Sequence, residues 1–177
     1  MLKLITILLC AAVILNAQVE QSGTKNGALS NSFDIDLASY PTGQTGKTRL
    51  DVFIKVPYSN IQFVRTNEGF TGKYSITLTF YDEYQRGVVL ERFWNEKIVA
   101  KEFSEAISNK NFNYGYRSFE FKPGKYYLRC ELLDTDSRKS SIFQGFVNVA
   151  EYDSKVQLSD LIFISGKIQG AAVLVND

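Results

Sequence analysis

Phe33, Ile35 and Leu37 alternate with Asp34, Asp36 and Ala38, and this period of two recurs along most of the chain. Leu50, Val52, Ile54 and Val56 interleave with Arg49, Asp51, Phe53 and Lys55 as far as Pro57, which has no N–H to give a strand ladder. The clearest run is 73–82, with Tyr74, Ile76, Leu78 and Phe80 on one side and Ser75, Thr77 and Thr79 on the other. Strict alternation with β-branched Thr on the polar side predicts a strand covered on one face only. Further strands are predicted over 61–64, 88–94, 117–121, 125–133 and 142–149. The stretch 97–108 supports two readings. Val99, Phe103, Ala106 and Ile107 fall on a helical stripe, while 98–103 suits a strand. A strand followed by a loop agrees better with neighbours that are all strands.

Between these runs lie clusters of Pro, Gly, Asp and Asn, including "SYPTGQTGK", "DEYQRG" and "DTDSRKS". Short alternating runs at fairly regular spacing predict an all-β fold, an antiparallel immunoglobulin/fibronectin-III-like β-sandwich. A βαβ fold would need repeated helical segments, and the chain offers one ambiguous stretch. Lys122-Pro123-Gly124-Lys125 reads as a turn, with proline presetting the backbone and glycine free to take a positive φ. Tyr126, just after it, is placed like the corner tyrosine of such sandwiches, whose hydroxyl bonds nearby backbone. Cys130 shares the face of Tyr126, Leu128 and Leu132, so it reads as a small core hydrophobe.

The ends differ from the middle. Residues 1–17, MLKLITILLCAAVILNA, have a lysine, a short apolar run and a small residue at the exit, the arrangement of a secretory signal peptide. The run falls short of the ~20 residues a membrane span needs. Cys10 follows Leu9, and the apolar run continues past it, unlike the small residue expected before a lipidated cysteine. Residues 18–31 carry two glycines and little apolar content and read as a flexible leader. The sandwich is expected over 32–150. Residues 151–177 form a C-terminal extension that leads either back onto it or into a further domain.

Cleavage after Ala17 removes Lys3 and no acid, leaving 19 basic and 19 acidic side chains. A neutral chain has no long-range field to gather phosphates, so nucleic acid is a poor partner. No integral membrane segment is expected after cleavage. The exported chain keeps a single cysteine, so no disulfide is expected, and its length is enough to bury a core without staples.

The chain contains no histidine, which removes Ser-His-Asp and Cys-His catalysis and histidine-based zinc sites together. Close carboxylate pairs are Asp34/Asp36, Asp82/Glu83 and Asp134/Asp136. A hydrolase would need two of them across a substrate site. Asp34 and Asp36 read instead as a solvated strand face. Asp134-Thr135-Asp136 begins like a calcium loop, but Arg138 and Lys139 stand where further oxygen ligands are wanted. Gly46-Lys47-Thr48 lacks the spacing of a phosphate loop and runs into a strand. No cofactor, metal or catalytic residue is therefore expected.

Aromatic residues give the positive signal. "NFNYGYR" (111–117) presents Tyr114 and Tyr116 beside Asn111 and Asn113 in an expected loop, and Tyr81 and Tyr84 flank the Asp82-Glu83 turn. Exposed tyrosines can anchor a protein contact or stack on sugar rings. These four are the candidate binding residues, for a protein partner first and a glycan second.

The segments "FDIDLASYPTGQTGKTRLDVFIKVPYSNIQFVR" (33–65), "GKYSITLTFYD" (72–82), "FKPGKYYLRCELLDTDSRK" (121–139) and "LSDLIFIS" (158–165) together resemble the N-terminal region of GWxTD-domain-containing bacterial envelope proteins. The Gly-Trp-x-Thr-Asp signature itself is absent. The resemblance implies a β-sandwich in an exported protein, periplasmic or at the cell surface, and implies no catalytic residue. The expected function is a non-catalytic module for interaction or assembly at the envelope. A glycan-binding module is the alternative, and a carboxylate-dependent hydrolase comes third.

Overall fold

A computed structural model describes residues 33–152 together with Ser159 and Asp160. The expected signal peptide, the leader and most of the C-terminal extension lie outside the described residues.

The alternating runs form eight antiparallel strands: β1 (Asp34–Pro41), β2 (Thr48–Pro57), β3 (Phe63–Thr66), β4 (Gly69–Asp82), β5 (Val88–Ala100), β6 (Phe112–Phe121), β7 (Gly124–Asp134) and β8 (Ser140–Val149). Strands β1, β2 and β6 make a three-stranded sheet in that order. In the five-stranded sheet, β4 pairs with β5 on one side; on the other, its start pairs with β3 and its remainder with β7, which continues to β8. The chain thus crosses between sheets after β2, β5 and β6, the wiring of a fibronectin-III-like sandwich.

The predicted inward faces make the core. Leu50, Val52, Ile54 and Val56 of β2 meet Tyr74, Ile76, Leu78 and Phe80 of β4 and Leu128, Cys130 and Leu132 of β7, all buried. Each such large side chain contributes on the order of 1.5–3 kcal/mol by leaving water. Phe80 of one sheet lies 4.7 Å from the Phe121 ring of the other and 6.5 Å from that of Phe119. The Asn113 Nδ2 of β6 donates to the Tyr74 hydroxyl of β4 at 2.7 Å, satisfying a phenol that burial pushes well above its usual range.

The chain leaves β6 through the expected corner. The Tyr126 hydroxyl donates to the Lys122 carbonyl at 2.8 Å, and Gly124 has φ +151°, a conformation that favours glycine. After β8, the Tyr152 hydroxyl donates to the Ser39 carbonyl, as does the Asp160 N–H, while the Asp160 carboxylate accepts from the Ser39 N–H. This closes the outer edge of β1 at Ser39.

Two expectations need correction. Residues 112–117 belong to β6, because Tyr116 pairs with Phe53, Tyr114 with Lys55 and Phe112 with Pro57, so "NFNYGYR" is largely strand rather than loop. The loop after β5 contains a one-turn helix, α1 (Phe103–Ala106), which buries Ala106 and stacks Phe103 on Phe70 at 5.5 Å.

Candidate functional site

In two of the three acid pairs one carboxylate is taken up by backbone amides. Asp82 Oδ1 accepts from the amides of Tyr84 and Arg86 at 2.9 Å, shaping the β4–β5 turn. Asp134 is 3% exposed and accepts from three amides: Gln62 at 2.6 Å, Asp136 at 2.9 Å and Ser137 at 3.0 Å. Asp34 and Asp36 are exposed, and Asp34 stands 3.9 Å from the Lys55 ammonium. Among the described residues no three His, Cys, Asp or Glu side chains cluster as metal ligands. Cys130 is free and fully buried, and desolvation pushes its thiol up to about 12, far from a nucleophile's range.

The four candidate tyrosines separate onto three places. Tyr84 is at the tip of the β4–β5 turn, with the Arg86 guanidinium 4.7 Å above its ring. Tyr114 and Tyr116 project from the outer face of the three-stranded sheet. Tyr116 packs on Phe53 at 5.2 Å, and burial raises its hydroxyl's pKa; Tyr114 is exposed beside Phe112. Asp51, which sequence reasoning passed over, is 4% exposed although it points out of the sheet. It accepts from the Ser118 hydroxyl at 2.7 Å and pairs with Arg49 Nε at 3.1 Å, while the Arg49 guanidinium covers the Tyr40 ring at 4.6 Å. This is a closed polar cluster with its partners supplied internally.

Tyr81 belongs to a larger surface, the outer face of the five-stranded sheet. The register places Val88, Tyr81, Tyr127 and Phe146 in one row across β5, β4, β7 and β8. Ring centroids are 6.4 Å apart from Tyr81 to Tyr127 and 5.2 Å from Tyr127 to Phe146, with planes at 54° and 73°. The Lys125 ammonium lies 4.5 Å from the Phe146 centroid and 3.7 Å from Glu83. The next row is polar: Glu91, Thr79, Arg129 and Gln144. Thr79 Oγ1 donates to Glu91 at 3.2 Å, and Arg129 pairs with Glu131 at 2.8 Å. A third row holds Phe93, Thr77, Glu131 and Ile142. Farther along, Val99 and Val64 flank Thr71.

Between Lys73 and Tyr81 the outward residues of β4, Ser75, Thr77 and Thr79, are small hydroxyl side chains, two of them buried between larger neighbours on β5 and β7. Of the eleven exposed large apolar side chains among the described residues, six rise from this face: Val64, Val88, Phe93, Val99, Ile142 and Phe146. A solvated outer sheet face is ordinarily polar. Here Val88, Phe93, Ile142 and Phe146 share three adjacent rows, while Val64 and Val99 stand apart beyond the Ser75–Asn95 and Lys73–Lys97 pairs. Of this surface the sequence reading had Tyr81 alone. Tyr127 and Phe146 were missed because their strands are 19 residues apart at these positions, and only the β7–β8 register makes them neighbours.

No protein-family model matches the chain, and no curated protein matches it. Among solved structures, the crystal structure of Bacteroides uniformis beta-glucuronidase is similar at a TM-score of 0.43 and 12% identity, over 67% of this chain and 13% of that one. The chain therefore spans a small part of that protein's length.

Proposed function

We propose that this chain is an exported, non-catalytic interaction module of the bacterial cell envelope that engages a protein partner through the outer face of its five-stranded sheet. The observation that carries the proposal is the exposure of Val88, Phe93, Ile142 and Phe146 on that face, in and near the Tyr81–Tyr127–Phe146 row. Apolar rows divided by the Glu91–Thr79–Arg129–Gln144 row give a partner both buried area and a polar register to match. The tilt between the rings favours protein over glycan, since a flat sugar chain stacks best on rings that share a plane. Export and envelope location rest on the leader-like residues 1–17 and on the resemblance to GWxTD-domain-containing proteins.

The test is crosslinking and capture from envelope extract with the wild-type protein, a Tyr127→Ser/Phe146→Ser variant and a Tyr114→Ser variant. One specific protein should be held by the wild type and by the Tyr114 variant and lost by the double variant. Equal capture by all three refutes the assignment of the face. Binding on a glycan array, abolished by the double variant, would replace the protein partner with a sugar.

A further inference from the structure

Strand β5 is an edge: among the described residues it pairs with β4 alone. It is 13 residues long and contains no proline. Open edges are ordinarily blunted by proline, by brevity or by charged side chains, inward-pointing ones included, because their free N–H and C=O groups template another strand. Strand β5 lacks proline but carries Glu91, Arg92, Glu96 and Lys97, charges that oppose any strand that does not match them. Two of the other edges differ, while β6 is open on its side away from β2 among the described residues. Strand β1 is closed at Ser39 by Tyr152 and Asp160, and β8 carries no charge that could fix a register.

The order of residues in β5, VVLERFWNEKIVA, is complementary to itself when read backwards. An antiparallel pairing of two copies about Trp94 sets Glu91 opposite Lys97, Arg92 opposite Glu96, Leu90 opposite Ile98 and Phe93 opposite Asn95. Every pair then occurs twice. Each charge meets its opposite and each aliphatic meets an aliphatic. A shift of the centre to Phe93 sets Leu90 against Glu96 and Arg92 against Trp94; a shift to Asn95 sets Arg92 against Ile98 and Phe93 against Lys97. A register displaced by one residue opposes inward to outward side chains and is excluded in a continuous sheet.

The surroundings leave this edge available. Glu91, Arg92 and Lys97 are exposed, Glu91 accepting from Thr79 and Lys97 paired with Glu68 at the surface, and Phe93 is 62% exposed. Trp94 is held from below by the Arg117 guanidinium at 4.6 Å, and the same Arg117 reaches Glu96 at 3.4 Å, so both are oriented before a partner arrives. The bulge opposite Phe80 and Tyr81 leaves Val89 without a β4 partner, which ends the regular edge at Leu90.

We propose that β5 pairs with β5 of a second copy about a two-fold axis at Trp94, joining two five-stranded sheets into one. The two-fold makes the interface self-complementary and closed, so the product is a dimer rather than a filament.

Sedimentation equilibrium of the full chain tests this with Glu91→Lys and Lys97→Glu, both exposed positions whose variants are first checked for unchanged melting. Wild type should associate reversibly to a dimer. Each variant alone opposes like charges at two symmetry-related places and should weaken the dimer about ten-fold. An equimolar mixture of the two variants opposes positive to negative at both places and should restore association as a one-to-one heterodimer. A wild type that stays monomeric at every concentration overturns the proposal. So does a dimer indifferent to both reversals, or one that mixing fails to restore.

Discussion

Replacing Asp134 by alanine removes a carboxylate that joins three parts of the five-stranded sheet. Its Oδ2 takes the Gln62 amide just before β3, and its Oδ1 takes those of Asp136 and Ser137 in the β7–β8 turn. Its own N–H donates to the Lys139 carbonyl, and the next amide, that of Thr135, donates to Lys73 of β4. Strands β3 and β7 lie end to end along the same side of β4, so this side chain fills the break between them. Hydrogen bonds to a charged group are worth roughly 1.5–3 kcal/mol each, though not additively. Water can re-bond the Asp136 and Ser137 amides in the exposed turn, whereas the Gln62 amide faces the gap left behind. A net loss of about 3 kcal/mol follows, lowering the melting temperature by roughly 10 °C for a domain of this size. Asp134→Asn keeps the volume and one acceptor oxygen and should cost about half as much. Asp136→Ala, whose backbone amide makes the contact, should stay within about 0.5 kcal/mol. Urea unfolding followed by tryptophan fluorescence measures all three. A loss under about 1 kcal/mol for Asp134→Ala, at unchanged denaturant slope, would refute a structural role for the carboxylate.

Three further outcomes concern Cys130 and Tyr126. Burial raises the Cys130 thiol from 9.0 to about 12, so the folded state favours the protonated form. The stability tied to that proton is intact below pH 9 and is lost as pH rises toward 12, by up to ~1.4 kcal/mol per pH unit. Denaturant titrations of wild type and Cys130→Ala across that range should diverge from parallel. At pH 8 the thiol should react with an aromatic disulfide only as fast as the protein opens. Tyr126→Phe removes the bond to the Lys122 carbonyl but keeps the ring against Phe121 at 5.1 Å; thermal unfolding should record a loss of about 1 kcal/mol.

Where one face of a strand is dry, the sequence declared it. Alternation over 73–82 and 125–133 predicted β4 and β7, their inward residues and the burial of Cys130, because a period of two survives any tertiary context that covers one side. The corner at Lys122–Tyr126 was legible for the same reason: proline and glycine act on the backbone locally. The β6 segment 112–116 was not. Phe112, Tyr114 and Tyr116 do alternate there with Asn113, Gly115 and Arg117, but the aromatic side faces outward and the polar or empty side faces the core, the reverse of an ordinary half-buried strand. Arg117 is tolerated there because the sandwich opens toward β5, where Trp94 and Glu96 receive it. Asp51 escaped notice because an outward carboxylate in a strand looks solvated until Ser118 and Arg49 are brought beside it by register.

The proposed binding face and the edge of β5 share a strand, and that sharing would have a mechanical consequence. Phe93, Glu91 and Lys97 form the wall of the outer face and also the border at which a second sheet would join. Pairing about Trp94 keeps outward residues outward, so the Tyr81–Tyr127–Phe146 rows of both copies would lie on the same side of one continuous sheet. A partner with two sites would then bind its second site at the effective concentration set by this spacing, and weak contact at each face would become tight attachment without any new residue. A monomeric partner would gain nothing from the pairing. Affinity that falls when Glu91→Lys disrupts the dimer, and recovers in the mixture with Lys97→Glu, would identify a partner that is itself repeated. Such a partner would support the assembly role proposed for the chain.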